Sequence, residues 1–495
     1  MDNQTIFQFF HWYYSAEGNL WKHAQEQAAH LASLGVTQVW LPPAYKSAKG
    51  LDEPGYAAYD LYDLGEFDQK GTVRTRWGTV QEYLDCIRVF HEHGIKVLAD
   101  IVLNHKIGGD EQEKIVVQEV DDDDRTKIIS EPYTVDAYTK FYFPGRNKKY
   151  SDFVWDSNSF TGICENEKIA MIKNEYSNGQ WEDVPEKEFG NYDYLMGNDI
   201  EFRNKFVREE LKKWGAWYTE KTGIDGYRLD ALKHITPDFF PEWLDFLNQH
   251  FNKKMLCIGE YWKSDVHQLL NYIEMTNGRI QLFDAPLHFN FHQASVEGES
   301  YNLSQIPDNS LTAMRPELSI SFVDNHDTQP LQSLQSPVEA WFKPIAYSII
   351  LLREQATPCV FYPSIYGAQY VDHSGGEEQY IELKPLSCVE TMMKVRKKLS
   401  YGKQQDYFDH ASTIGWTREG IQEKPNSGCA VVATNGSEGF KHMSMGQQHA
   451  GRVMKEACGH RGDTVTLNDK GEADFPVNAG SVSVWVFQEA IADLQ

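Results

Sequence analysis

Positive charge, paired cysteines and long apolar runs are all scarce in this 495-residue chain. Each scarcity excludes something. Lys and Arg total 47 against 72 Asp and Glu, a formal balance of −25. Such a surface repels polyanions, so nucleic acid and anionic membranes are not expected partners and a neutral substrate is. The seven cysteines, Cys86, Cys164, Cys257, Cys359, Cys388, Cys429 and Cys458, are odd in number, scattered and without a CxxC pair. They read as reduced, mostly buried thiols in a cytoplasmic protein. The longest apolar candidate, Ile345 to Leu352, falls far short of a membrane span. The first ten residues carry no basic segment of the kind that opens a secretion signal.

What is present points to a large globular protein. Hydrophobic residues make up 41% and aromatics 13%, enough for one large core with one or two smaller domains beside it. Apolar β-branched runs alternate with helical patterns, which is the texture of parallel β/α architecture. Strands are expected at Ile6 to Phe10, Val36 to Leu41, Ile95 to Leu103, Ile224 to Ala231, Met255 to Gly259, Gln281 to Asp284, Leu318 to Val323 and Pro358 to Tyr362. Eight such units close into a (β/α)8 TIM barrel, here 1–103 with 205–397. From 104 to 204 the pattern lapses into an irregular, aromatic and Asp-rich insertion after the third strand, a length that marks function. Its acidic run, Asp121 to Asp124, reads as a solvated loop. From 398 to 495 short alternating segments, such as Cys429 to Thr434 and Ser481 to Phe487, indicate a C-terminal all-β sandwich domain.

Four strands end in polar residues: Asp100 to His105, Arg228 to His234, Glu260 to Trp262 and Asp324 to Asp327. Any one alone is an ordinary cap or turn. A barrel, however, gathers all strand ends on one face, where they would supply carboxylates, imidazoles and one guanidinium to a single site. Arg228, two residues before Asp230, is expected to keep that carboxylate ionised and its pKa low. Glu260, between aromatic neighbours and facing two aspartates, is expected to keep its proton.

The stretches DIVLNH, GYRLDALKH, GEYW, FVDNHD and FGNYDYLMGNDIEF together resemble the α-amylase family, glycoside hydrolase family 13, over nearly the whole chain. The likeness runs toward bacterial cytoplasmic α-amylases related to the liquefying type. It implies an endo-acting retaining hydrolase of internal α-1,4-glucosidic bonds in starch, glycogen or maltodextrins, working as a monomer. A 4-α-glucanotransferase is the alternative, and a catalytically dead binding relative is disfavoured because all three acids stand. By this resemblance Asp230 is the nucleophile, Glu260 the general acid/base and Asp327 the stabiliser of the distorted sugar. Asp100 orients its neighbours. Tyr56, His105, Arg228, Lys233, His234, His326 and Trp262 would line the substrate cleft. Trp12 and Tyr13 stay open between sugar platform and ordinary packing. The resemblance further implies a calcium ion held by Asn104, Asp193, Asp199 and the carbonyl of His234. Thr161, Glu182 and Glu201 stand where liquefying relatives carry extra aspartates, so one calcium is expected and no second metal cluster.

Overall fold

A computed structural model describes residues 3–165, 167–372 and 378–494. Eight parallel strands close a barrel: β1 (Ile6–Gln8), β2 (Gln38–Leu41), β3 (Lys96–Ile101), β4 (Gly226–Leu229), β5 (Leu256–Gly259), β6 (Gln281–Phe283), β7 (Ser319–Phe322) and β8 (Thr357–Phe361). Each strand lies beside its neighbours in chain order and β8 closes on β1, pairing Ile6 with Cys359 and Gln8 with Phe361. All eight expected strands form. Most are a residue or two shorter than the apolar run, because the last residues leave the ladder to turn over the barrel mouth.

Among the described residues, eight helices of ten residues or more accompany the strands: α1 (Leu20–Leu34), α2 (Val80–Glu92), α3 (Lys205–Thr222), α4 (Phe239–Phe251), α5 (Val266–Met275), α6 (Ala285–Glu297), α7 (Lys343–Leu352) and α8 (Ser387–Lys398). Their boundaries follow local chemistry. α2 starts on a reciprocal Thr79/Glu82 capping box, which satisfies two otherwise orphaned backbone donors. α1 buries Ala24, Ala28 and Leu31 and stops at Gly35, whose φ of 92° is left-handed. α3 buries Val207, Leu211, Trp214 and Tyr218, the apolar face that the spacing predicts.

The segment between β3 and α3 is more regular than expected. It holds a six-stranded antiparallel sheet in the order His105–Lys106, Asn198–Ile200, Phe160–Glu165, Lys168–Ile172, Glu111–Glu119, Tyr133–Lys140. The pattern hid it because its two longest strands, Glu111–Glu119 and Tyr133–Lys140, expose polar residues at most positions and the others are short. Glu111–Glu119 buries only Ile115 and Val117, too little alternation to read as a strand. The acidic run lies, as expected, in the solvated connection between the two outer strands, with the Asp121 carboxylate accepting from the backbone N–H groups of Asp123 and Asp124. After α8, a six-stranded sheet faces the two-stranded antiparallel sheet Gly439–Ser444/Glu472–Val477. Met443, Met454, Phe475, Trp485 and Phe487 fill the space between them, which makes the sandwich.

Candidate active site

Parallel register builds the site. Arg228 on β4 pairs with Asp100 on β3 and with Ile258 on β5. The ladder then runs one step further, Asp230 N–H to Ile101 O at 3.0 Å and Glu260 N–H to Leu229 O at 2.9 Å, so both acids leave adjacent strand ends side by side. Ala231 follows with φ 53°, a left-handed conformation that non-glycine residues rarely adopt away from functional sites. It turns the chain sharply into the 3-10 turn Leu232–His234.

The buried Arg228 guanidinium organises the carboxyl groups. Nη1 reaches Asp230 Oδ1 at 2.5 Å and Asp100 Oδ1 at 3.1 Å, while Nη2 reaches Glu260 Oε2 at 2.5 Å. Asp100 also accepts from Trp40 Nε1 at 2.9 Å and Tyr56 Oη at 2.8 Å. Asp327 stands within electrostatic range of Glu260, Arg228, Asp230 and Asp100. Thus the three acids, far apart in the chain, do converge around one cation.

One expectation is corrected here. Burial raises the pKa of Asp230 above the usual carboxylate range, and the guanidinium only partly offsets it. The reason is that four carboxyl groups share one arginine, so the site retains protons. The closeness of the two carboxyls pushes Glu260 up and Asp230 down, so the two titrate as a coupled pair. Asp327 is also raised, first by burial and then by Glu260.

Rings line the floor. Tyr56 and His326 lie nearly parallel at 5.1 Å, and Trp12 lies parallel to both, 5.6 Å from Tyr56 and 6.2 Å from His326. Trp12 thus belongs to this stack. Tyr13 instead stacks on Tyr370 at 4.2 Å. His105 Nε2 meets the Tyr56 carbonyl at 2.8 Å. With Gln8 Nε2 assigned as donor to His326 Nδ1 at 3.0 Å, the His326 proton sits on Nε2, 3.3 Å from Asp327 Oδ2. Burial holds both imidazoles neutral. Lys233 Nζ donates to the Trp262 carbonyl at 3.3 Å. The Trp262 ring is packed against His288, Phe289 and Phe322, and its carbonyl is the part shown meeting the site.

Behind the cleft lies a second acidic cluster. Asp199 accepts from Asn104 Nδ2 at 3.4 Å and from the Thr161 hydroxyl. Asp193 accepts from the Glu182 N–H at 2.8 Å. His234 Nδ1 donates to the Tyr192 carbonyl at 2.7 Å, tying the insertion to β4's end. Asn104 Oδ1 and Glu182 Oε2 are buried without any partner. Burial and mutual repulsion lift Glu182 and Asp199 well above the carboxylate range and Asp193 to about 7. Orphaned oxygens and repelling carboxylates are the chemistry of a hard-cation site. Among the described residues no three His, Cys, Asp or Glu side chains already stand at metal-holding spacing. The expected set fits that fact, since it draws on two carboxylates, an amide and a carbonyl.

Three contributors escaped the sequence: Trp40, Gln8 and Arg203. Gln8 left a trace, a polar residue inside Ile6 to Phe10. Arg203 binds Glu201 through Nε at 2.6 Å and Nη2 at 2.7 Å, and nothing local marked it out.

The α-amylase catalytic-domain model matches residues 20–371, and the α-amylase C-terminal model matches 430–486. The chain belongs to the α-amylase family. It is 46% identical over 98% of its length to an α-amylase of Geobacillus stearothermophilus, covering 87% of that protein. It is 43% identical over 99% of its length to the cytoplasmic α-amylase of Escherichia coli (strain K12), covering all of it. Its fold matches the Geobacillus thermoleovorans α-amylase in complex with acarbose, with a TM-score of 0.65, 18% identity and 98% of each chain covered. Within the α-amylase family this chain is a glycoside hydrolase.

Proposed function

We propose that this α-amylase cleaves internal α-1,4-glucosidic bonds of starch, glycogen or maltodextrins with retention, as a cytoplasmic monomer. Asp230 acts as nucleophile, Glu260 as general acid and then base, and Asp327 as the stabilising carboxylate. The observation that carries this reading is the Arg228 bridge, whose two terminal nitrogens each meet one carboxyl, Asp230 and Glu260, at 2.5 Å. An inverting enzyme needs its carboxyl groups about 6.5–9.5 Å apart to hold a water between them, and carboxyls seated on the neighbouring nitrogens of one guanidinium leave no such room.

Substrate entering the cleft places the scissile oxygen beside Glu260. Asp230 attacks the anomeric carbon as Glu260 gives its proton to the leaving oxygen. Glu260, now a carboxylate, deprotonates water, which displaces Asp230 and restores both groups. Neutral His105 and His326 offer N–H and lone pair to sugar hydroxyls, Tyr56 offers a ring face, and Lys233, His234 and Trp262 border the leaving-group side.

One calcium, held by Asn104, Asp193, Asp199 and the His234 carbonyl, would neutralise the acidic cluster and clamp the insertion to the strand ends. Arg203 beside Glu201 and Glu182 supports a single ion, because it supplies positive charge where further metal would sit. The same reading divides the chain into a barrel (1–103 and 205–397), an insertion (104–204) and a C-terminal domain (398–495). Seven free thiols and the relative named cytoplasmic support the compartment. No helix among the described residues is long and apolar enough to cross a membrane.

Product analysis on maltoheptaose tests the activity. Only shorter oligosaccharides, released first as α-anomers, are expected. Products longer than the substrate would replace hydrolysis by the glucanotransferase reading, and β-anomers would overturn retention.

A further inference from the structure

The strand end that carries Glu260 also carries a cation that reaches across to the insertion. Lys263 sets its Nζ 3.0 Å from Glu186 Oε2 and 2.8 Å from Glu188 Oε2. The side chain of Glu186 is nearly sealed, at 5% exposed, while that of Glu188 keeps 45%. All three groups stay charged at the joint. The hydrogen bond from Lys263 holds Glu188 below the usual carboxylate range. Burial opposes the Lys263 charge, but the two carboxylates outweigh it and raise its pKa.

What this ionic latch holds is a tight turn. The Glu188 N–H donates back to Glu186 Oε1 at 2.9 Å, and Phe189 follows with φ 56°, a left-handed conformation that a bulky residue keeps only where its surroundings impose it. Arg125 grips the turn from the insertion side. Its backbone N–H donates to Phe189 O at 2.8 Å, and its guanidinium lies 4.9 Å from the Phe189 ring and 4.5 Å from the Tyr192 ring. Lys263 grips it from the barrel side.

Lys233 links the latch to the chemistry. Its charge acts on Glu260, and it stands in the field of Lys263, Glu186 and Glu188 as well, with Nζ 5.3 Å from the Tyr192 ring. The turn therefore borders the same end of the cleft as the acid/base. We propose that Lys263 is a positioning residue for the leaving half of the glucan: by fixing the turn 186–192 beside Glu260, it shapes the wall against which the reducing-end sugars rest. This rests on the α-glucan hydrolase reading of the active site. Asp230 and Glu260 take their orientation from Arg228, so the latch governs how tightly that half is held rather than how fast the bond breaks.

Steady-state kinetics on end-labelled maltoheptaose, with the cut positions read from the products, test it. Lys263→Met should raise KM about fivefold with kcat within about twofold, the pattern of lost binding rather than lost chemistry. Weaker hold on the leaving half should also shorten the fragment released from the reducing end. Lys263→Arg, which keeps the charge, should return both readouts toward the unaltered protein. Glu188→Gln should raise KM in the same direction, and joined to Lys263→Met it should add less than its effect alone, because the contact is already gone. Should Lys263→Met fail to fold, Glu188→Gln at the half-exposed end carries the same test. An unchanged KM and cut pattern, a fall confined to kcat, or effects of the two substitutions that simply add would overturn the proposal. Inability of the unaltered protein to cut maltoheptaose would instead strike the catalytic reading.

Discussion

Two places in this molecule surround one arginine with several carboxyl groups, and they differ in which partner meets solvent. Around Arg228 the cation is fully buried, while Asp230, Glu260 and Asp327 keep 12%, 13% and 18% of their side chains exposed at the cleft. Around Arg203 the arrangement is reversed: the arginine side chain is 33% exposed, and Glu182 and Glu201 keep 2% and 0%. Charge count alone therefore does not distinguish a reactive site from a structural one. A carboxyl that faces a cleft can hand its proton to an incoming oxygen. One sealed against backbone N–H groups, as Glu182 is against Phe202 and Arg203, can only be neutralised by a proton or a cation.

The comparison breaks most sharply at Glu260. Glu260→Gln keeps the Arg228 contact but cannot shuttle a proton, and should lower kcat on starch by about 10³-fold or more with an unchanged melting temperature. Near-normal turnover would show that the exposed cluster is no more reactive than the sealed one. Removing calcium should do the opposite, acting on stability before chemistry. A site held far above its Kd stabilises by about 4 kcal/mol, so in a chain of this size excess chelator at neutral pH should lower Tm by roughly 4 °C. Titration that finds several tight ions would overturn the single-calcium reading.

Arg203→Met sharpens the contrast further. It leaves the buried Glu201 without its partner, and since the guanidinium is partly solvated the loss should be about 1–2 kcal/mol in urea unfolding. Calcium should not restore it, because Arg203 rather than the ion meets Glu201. The smallest effect is expected at Lys233, whose charge lowers the pKa of Glu260. Lys233→Met removes that charge and favours the protonated acid, so the alkaline limb of kcat/KM should move to higher pH. A shift to lower pH would mean that Glu260 is not the group that titrates there.

Much of this arrangement is legible in the chain. The barrel strands are short runs of Val, Ile, Leu and Phe, and such runs in a buried parallel sheet need no partner information to stand out. Gly35 and the Thr79/Glu82 box mark helix ends by chemistry confined to one turn. The candidate acids are equally visible: Asp230 and Glu260 directly follow their strands, and Asp327 closes the polar run that begins two residues after Phe322. The sheet of the insertion is not legible. Its strands pair with residues up to dozens of positions away, and their side chains are mostly polar.

Sequence by itself determined the barrel, its eight strands, the acids at their ends and the family, since these depend on local periodicity and short motifs. Tertiary structure alone decided how protons and charges are shared. Arg228 is two residues from Asp230 in the chain, which predicts a lowered pKa, yet folding delivers Asp100, Glu260 and Asp327 to the same guanidinium and burial reverses the shift. Electrostatic energy in a poorly solvated site is a sum over every charge within reach, and only the folded chain says which charges those are.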